Sequence, residues 1–300
     1  MKERYLWIGV IVILLSWGGN YFYFQTQQLE NPIFLNHYYQ MYHNEEANEI
    51  PLTFYYLTDK KEPLDVNYVE MNGIQAYPTY NHDGFTMFND SQPQIQYEQE
   101  FNHQYLMSTT ISIRTDTESI FNTDNSWSFS NMEVFFTNGE HVTANIGEVV
   151  VQPYHGQSLL ETRASGSSNQ HRSVTSMVAT EQLSINEISL PFKELEGDVS
   201  VKVGLDEGPG VNRGLEVPWE DLQAESLQKT MFPFDLTKNN QLRLYTYFNP
   251  ESMDYYQFEI EIKGTTEDGE SFTSGTMINN QPHLEEADIN KIIELKQGRE

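Results

Sequence analysis

Residues 133–153, EVFFTNGEHVTANIGEVVVQP, decide the fold class. Asn138-Gly139 stands between two runs rich in Val, Phe and Thr. Both residues of such a pair accept the positive φ of a type I′ turn, which makes it the strongest short-range sign of a β-hairpin. Residues 260–282, IEIKGTTEDGESFTSGTMINNQP, repeat the pattern around Asp268-Gly269. The two stretches share a Gly-Glu turn, a Thr three residues after the Glu and a closing Gln-Pro. They read either as relics of one repeated domain or as hairpins alike by convergence.

Outward from these hairpins the alternation of period two continues. It predicts strands over 52–57, 66–71, 97–113, 127–136, 142–151, 173–190, 199–203, 242–248, 256–262 and 271–278, the longer spans containing a bend or bulge. Tyr and Phe together number 35, and flat aromatic side chains suit a half-buried pleated surface. Residues 284–296 carry Ile289, Ile292 and Ile293 on one helical face, the pattern of an amphipathic helix covering a sheet. The fold expected is all-β, an antiparallel β-sandwich built once at large size or twice in tandem. It carries one N-terminal transmembrane helix and a C-terminal amphipathic helix.

The transmembrane reading rests on residues 5–24, YLWIGVIVILLSWGGNYFYF, which contain no charge. Twenty helical residues span about 30 Å, the thickness of a bilayer's hydrocarbon. Lys2 and Arg4 precede the segment and the next Lys or Arg is Lys60, so residues 1–4 are expected in the cytoplasm and the rest outside it. A cleaved signal peptide with its apolar core at 6–15 and a small-x-small site at Ser16-Trp17-Gly18 is the competing reading, and it too exports the chain.

The implied division is a cytoplasmic tip (1–4), a signal-anchor (5–24), a stalk (25–50), a β-rich domain (51–155), a linker or loop (156–172) and a β-rich domain with the C-terminal helix (173–300). Within the stalk, Phe34, Leu35, Tyr38, Tyr39 and Tyr42 recur at helical spacing and predict a short amphipathic helix. The Ser, Gly and Asn cluster of 156–172 predicts the loop. Turn residues in 206–219 lead to a short helix expected over 220–229.

Composition narrows function by exclusion. The chain has 17 basic and 44 acidic residues, net −27; residues 5–300 alone carry 15 and 43, net −28. Such a field repels phosphate, so nucleic acid is not an expected partner. There is no cysteine, hence neither a disulfide framework nor a thiolate metal site. The eight histidines form no HxH, HxxxH or HExxH arrangement. No GxSxG elbow is present, and residues 164–167 are not followed by the Lys-Ser/Thr pair of a phosphate loop. Asn81-His82-Asp83-Gly84 is a turn by composition.

One metal candidate survives. Asp116, Glu118, Asp124 and Asn125 crowd the stretch RTDTESIFNTDNS (114–126) and offer the hard oxygens that calcium takes, at a spacing unlike an EF-hand loop. Solvated acidic loops are equally expected in so acidic a chain, and no other cofactor is implied. The expected function is therefore a membrane-tethered extracytoplasmic binding or accessory component of the cell envelope without enzymatic activity. Its partners are the membrane, through residues 5–24, and another envelope protein or a glycan. The alternatives are a cell-wall or glycan-active hydrolase using a carboxylate pair and a calcium-stabilised adhesion module.

Overall fold

A computed structural model describes residues 2–43, 49–79, 95–114, 126–153, 158–205 and 211–298. Helix α1 (Lys2–Thr26) leads into β1 (Ile33–Phe34), β2 (His37–His43), β3 (Glu49–Asp59), β4 (Val66–Met71), β5 (Ile74–Pro78), β6 (Gln99–Glu100), β7 (Gln104–Arg114), β8 (Trp127–Phe136) and β9 (His141–Pro153). There follow β10 (Leu160–Ser168), β11 (Arg172–Ala179), β12 (Leu183–Ser189), β13 (Val199–Leu205), α2 (Val211–Glu216), β14 (Glu225–Ser226), β15 (Phe234–Leu236) and β16 (Gln241–Phe248). The chain closes with β17 (Tyr255–Thr266), β18 (Ser271–Asn280) and α3 (Glu286–Gln297). About 53% of it is strand, and the protein is all-β of sandwich type.

Thirteen strands form one sheet in the order β1-β3-β7-β5-β4-β8-β9-β2-β17-β12-β15, with β18 on β17 and β6 on β7. Strand β5 turns the corner. Residues 74–76 pair with β4, whereas Tyr77 and Pro78 pair with β7. The sheet thus folds over one core, which takes Leu52, Phe54, Ile111 and Ile113 from one side and Val69, Val134, Ile146 and Val149 from the other. A five-stranded sheet, β10-β11-β16-β13-β14, packs on the β12–β17 end of the large sheet over a second core containing Met177, Leu244, Phe192, Phe258 and Ile260. Helix α3 buries Ile289 and Ile292 against the first core; Gly298 at φ 62 caps its end.

Both sequence hairpins are present. Gly139 (φ 91) joins β8 to β9 and Gly269 (φ 81) joins β17 to β18. Strand β2 runs between them, parallel to β9 on one side and to the start of β17 on the other. It touches the return strand of one hairpin and the outgoing strand of the other, so the two are not equivalent in the sheet.

The contact of β2 with β9 is close. His37 pairs with Gly147, whose φ is +88; a Cβ there would lie 2.6 Å from the His37 carbonyl oxygen. Only glycine meets both demands. The His37 ring is fully buried among Tyr39, Phe54, Tyr55 and Tyr255, with centroids 5.1–6.1 Å away. Its Nε2 accepts the Tyr55 N–H at 2.9 Å, which places the ring proton on Nδ1.

Several local expectations need correction. The stretch 34–42, predicted helical, supplies β1 and β2; a strand flanked by strands and wholly or partly buried on both faces loses the alternation of period two, and its aromatic residues mimic helical spacing. The segment 156–172, predicted as a loop or linker, contains β10, hydrogen-bonded to β11 along its length. In place of a helix over 220–229 stand a 3-10 turn Trp219–Asp221, β14 and a second turn Lys229–Met231. Pairing along β2 is parallel, so the large sheet is mixed.

In α1, Trp7–Thr26 is long and apolar enough to cross a membrane, and none of that window is buried against the rest of the chain. Its last turn is nevertheless fastened. Tyr23 and Phe24 meet the His103 ring edge-on at 6.2 and 6.0 Å, Gln104 Nε2 donates to the Gln27 carbonyl at 2.7 Å, and both Asp59 oxygens accept the Leu29 N–H at 3.1–3.2 Å.

Candidate functional site

Strand β17 creates the main cleft. One of its edges pairs with β18 from residue 256 to 265. The other edge has two partners in turn, parallel β2 at residues 255–257 and antiparallel β12 at 261–266. Between them, among the described residues, no strand covers Phe258–Ile260. A backbone donor left open in that gap would cost about 1–3 kcal/mol. The buried side chain of Gln40 fills the gap: its Oε1 accepts the Glu259 N–H at 2.9 Å and its Nε2 donates to Glu261 Oε1 at 3.3 Å. Beside it the Tyr42 hydroxyl donates to Glu259 Oε2 at 2.8 Å. Burial, and then that hydrogen bond, push the Tyr42 phenol above its ordinary value.

The sheet therefore forks, and the space between its branches and the small sheet is an open cleft of about 1340 Å³. One branch contributes Gln40, Val150 and Gln152, the other Asn186–Ser189, and β17 lays Glu261 and Lys263 on the floor. A β-bulge between Ile185 and Glu187 turns both Asn186 and Glu187 outward, where strict alternation would bury one of them. The far wall comes from Phe192, Lys193 and Glu196, from Val199–Val201 at the start of β13, and from Trp219, Ser226–Gln228, Phe232 and Pro233. Trp219 is contacted at its carbonyl and at its ring. Its carbonyl accepts Lys202 Nζ at 2.6 Å, the same ammonium lies 4.8 Å from its ring centre, and the Tyr247 ring is 5.6 Å away.

The charges on the floor are paired. Lys263 Nζ lies 2.8 Å from Glu261 Oε2, and Glu187 stands in register opposite Lys263 on β12. The hydrogen bond to Glu261, with the nearby Glu187 charge, holds Lys263 above the usual lysine value. Trp219 and Phe232 supply ring surface; Gln152, Gln228 and Asn186 supply primary amides that donate and accept side by side. The described lining includes no histidine.

A smaller cavity of about 320 Å³ includes His171, Glu251, His283 and Asp288, with His283 Nδ1 2.6 Å from Gln99 Nε2. Among the described residues, no group of three or more His, Asp or Glu side chains is placed to hold a metal ion. The calcium candidates Asp116, Glu118, Asp124 and Asn125 lie outside the described residues, as do His82 and His155. Of the remaining histidines, His37 and His43 are buried and His141 stacks on Phe135 at 5.5 Å.

Apart from Trp219, none of the cleft residues stands out in the sequence. They come from positions 40 to 263 and meet only because two strands share one edge of β17. The single legible sign is Trp219, a large aromatic side chain set in a turn-rich polar stretch.

No family model and no curated protein matches the sequence. Among solved structures the chain is similar to SGBP-B of the Bacteroides ovatus mixed-linkage glucan utilization locus in complex with a mixed-linkage heptasaccharide, at 14% identity over 80% of this chain and TM-score 0.20. The chain spans 44% of that protein's length. It is also similar to the collagen binding domain of the Erysipelothrix rhusiopathiae surface protein RspB, at 9% identity over 83% of this chain and 93% of that one, TM-score 0.22. The collagen adhesin CNA of S. aureus follows at 10% identity over 78% and 90% of the two chains, TM-score 0.18. At TM-scores of 0.22 and below, these likenesses carry no argument about what this chain binds.

Proposed function

We propose that the chain is a membrane-tethered extracytoplasmic binding protein that holds a segment of an envelope polymer or protein in the fork cleft and makes or breaks no bond in it. The observation that carries this reading is the cleft itself. Its volume of about 1340 Å³ exceeds the roughly 300–1,000 Å³ of ordinary small-molecule sites, and it is open, as a site for part of a longer chain must be. The uncharged 20-residue segment and the basic residues before it support the tether and the orientation. The hydrolase reading asks for two carboxylates free to face the scissile bond. Glu261, at the centre of the floor, is already committed to Lys263 and Gln40.

The test uses full-length protein in micelles of an uncharged, non-glycosidic detergent, mixed with purified cell-wall sacculi and with a fraction of exported proteins. Asn186→Trp, at an exposed bulge position on the cleft wall, narrows the cleft. Retention on one of these materials is expected, with a loss of tenfold or more in the variant at unchanged thermal stability. Equal retention of both proteins on every material would remove the cleft as the binding site. Protease added outside intact cells is expected to degrade the body, and its protection there would remove the orientation.

A further inference from the structure

The charge within the cleft differs from the charge of the molecule around it, and that difference points to the ligand's chemistry. Residues 5–300 carry 43 acidic and 15 basic side chains, yet the described cleft lining sets two lysines, Lys193 and Lys263, against three glutamates. Two of these glutamates share one lysine: Lys263 bonds to Glu261 at 2.8 Å and stands opposite Glu187. A site built for a cationic peptide would leave its carboxylates unpaired, and here the central one, Glu261, is bonded to Lys263, whose charge also faces Glu187. An anionic polymer is disfavoured by the field of the whole body. What the cleft offers is a dense, nearly neutral set of hydrogen-bonding groups, next to a tryptophan whose ring contacts Lys202 and Tyr247.

We infer that the fork cleft takes a neutral, hydroxyl-rich glycan chain; this rests on the binding role proposed above and names its ligand class. Each sugar hydroxyl both donates and accepts, and so do the Gln152, Gln228 and Asn186 amides, which can span adjacent hydroxyls. The apolar C–H face of a pyranose ring matches the flat face of an indole, and Trp219 is the half-buried indole on the wall. Binding of this kind involves no net neutralisation of charge, so it is insensitive to salt, whereas capture of a cationic chain weakens as salt screens it.

Full-length protein in the same micelles is titrated with neutral hexasaccharides of glucose, mannose and N-acetylglucosamine, with a Lys-rich peptide and with polyglutamate, each at 50 and 500 mM NaCl. At least one neutral hexasaccharide is expected to bind, with a Kd that changes less than twofold between the two salts. Trp219→Ala and Gln228→Ala are each expected to weaken it tenfold or more. Gln228 is exposed, so its variant tests the site even if Trp219→Ala perturbs the wall. Cleft-dependent binding of the Lys-rich peptide alone, falling with salt, would overturn the glycan assignment and keep the binding role. Cleft-dependent binding of none of the probes would overturn both.

Discussion

Strand β2 meets its neighbours in two opposite ways. At residues 37–39 it is gripped on both sides: His37 lies against Gly147 at backbone distance, and its ring is enclosed by three tyrosines and a phenylalanine. From Gln40 onward it leaves β17, and β12 takes over the same edge farther along. The first region is closed by contacts too tight for any side chain at residue 147. The second is kept open by side chains that stand in for the missing strand. A few residues along one strand thus separate a tight joint from an open cleft, and the joint allows the cleft to stay open without loosening the sheet.

That contrast can be broken at several strengths. The largest effect concerns the whole body. Because β2 and β17 carry hydrogen bonds between strands of the two halves of the sequence, we expect residues 33–298 to unfold in one transition in urea, seen together by near- and far-ultraviolet circular dichroism. Two separated transitions would show that the joint does not couple the halves. Next, Gly147→Ala is expected to cost about 3 kcal/mol or more, through strain at positive φ and the clash with the His37 carbonyl, measured as a shift of the urea midpoint. A cost below about 1 kcal/mol would mean that β2 can move away from β9.

The third effect depends on pH. Burial lowers the His37 pKa from 6.5 to about 3. Above the unfolded value both states hold the ring neutral, and the stability it contributes is complete. As pH falls through 6.5 toward 3, the unfolded chain takes up a proton that the folded chain refuses, and stability declines by about 1.4 kcal/mol per pH unit from this group. His37→Gln keeps an acceptor for the Tyr55 N–H and should flatten the acid limb by one proton relative to the parent. Identical limbs would show that the ring is not buried neutral.

Smaller effects belong to the cleft. Gln40→Ala leaves the Glu259 N–H without its acceptor and should cost about 1–3 kcal/mol. Lys263→Met removes an ion pair whose lysine is exposed and should change stability by less than about 1 kcal/mol, since water screens it. If the second substitution cost more than the first, the floor charges rather than the Gln40 amide would hold the fork open. Thermal melts with matched urea titrations decide the order.

Much of this architecture was legible in the sequence. Asn138-Gly139 and Asp268-Gly269 mark hairpins because turn chemistry is local, and Ile289 and Ile292 mark the helix face because periodicity is local. Strand β2 was not, since Phe34, Leu35, Tyr38, Tyr39 and Tyr42 are spaced as on a helix, and a strand at least partly buried on both faces shows no clean alternation. Strand β10 was hidden by its composition: an edge strand of Ser, Gly, Thr and charge has little apolar alternation to show. The cleft lay beyond sequence altogether. Gln40 and Glu261 are 221 positions apart and become neighbours only through the pairing of β2 and β12 with one edge.

The fastening at the end of α1 sets how the protein can search. Only the six residues 27–32 separate the helix from β1, about 20 Å if fully extended, and Gln27 and Leu29 are already tied to Gln104 and Asp59. With α1 in a bilayer as proposed, the body is a fixed outpost rather than a float on a line. It sweeps no volume of its own, and diffuses only with its helix in two dimensions. Its ligand must come to the membrane surface, and molecules side by side would present their clefts in a common orientation. A long polymer lying along that surface would meet several at once, and each further contact would form at the high effective concentration set by neighbours that cannot swing away.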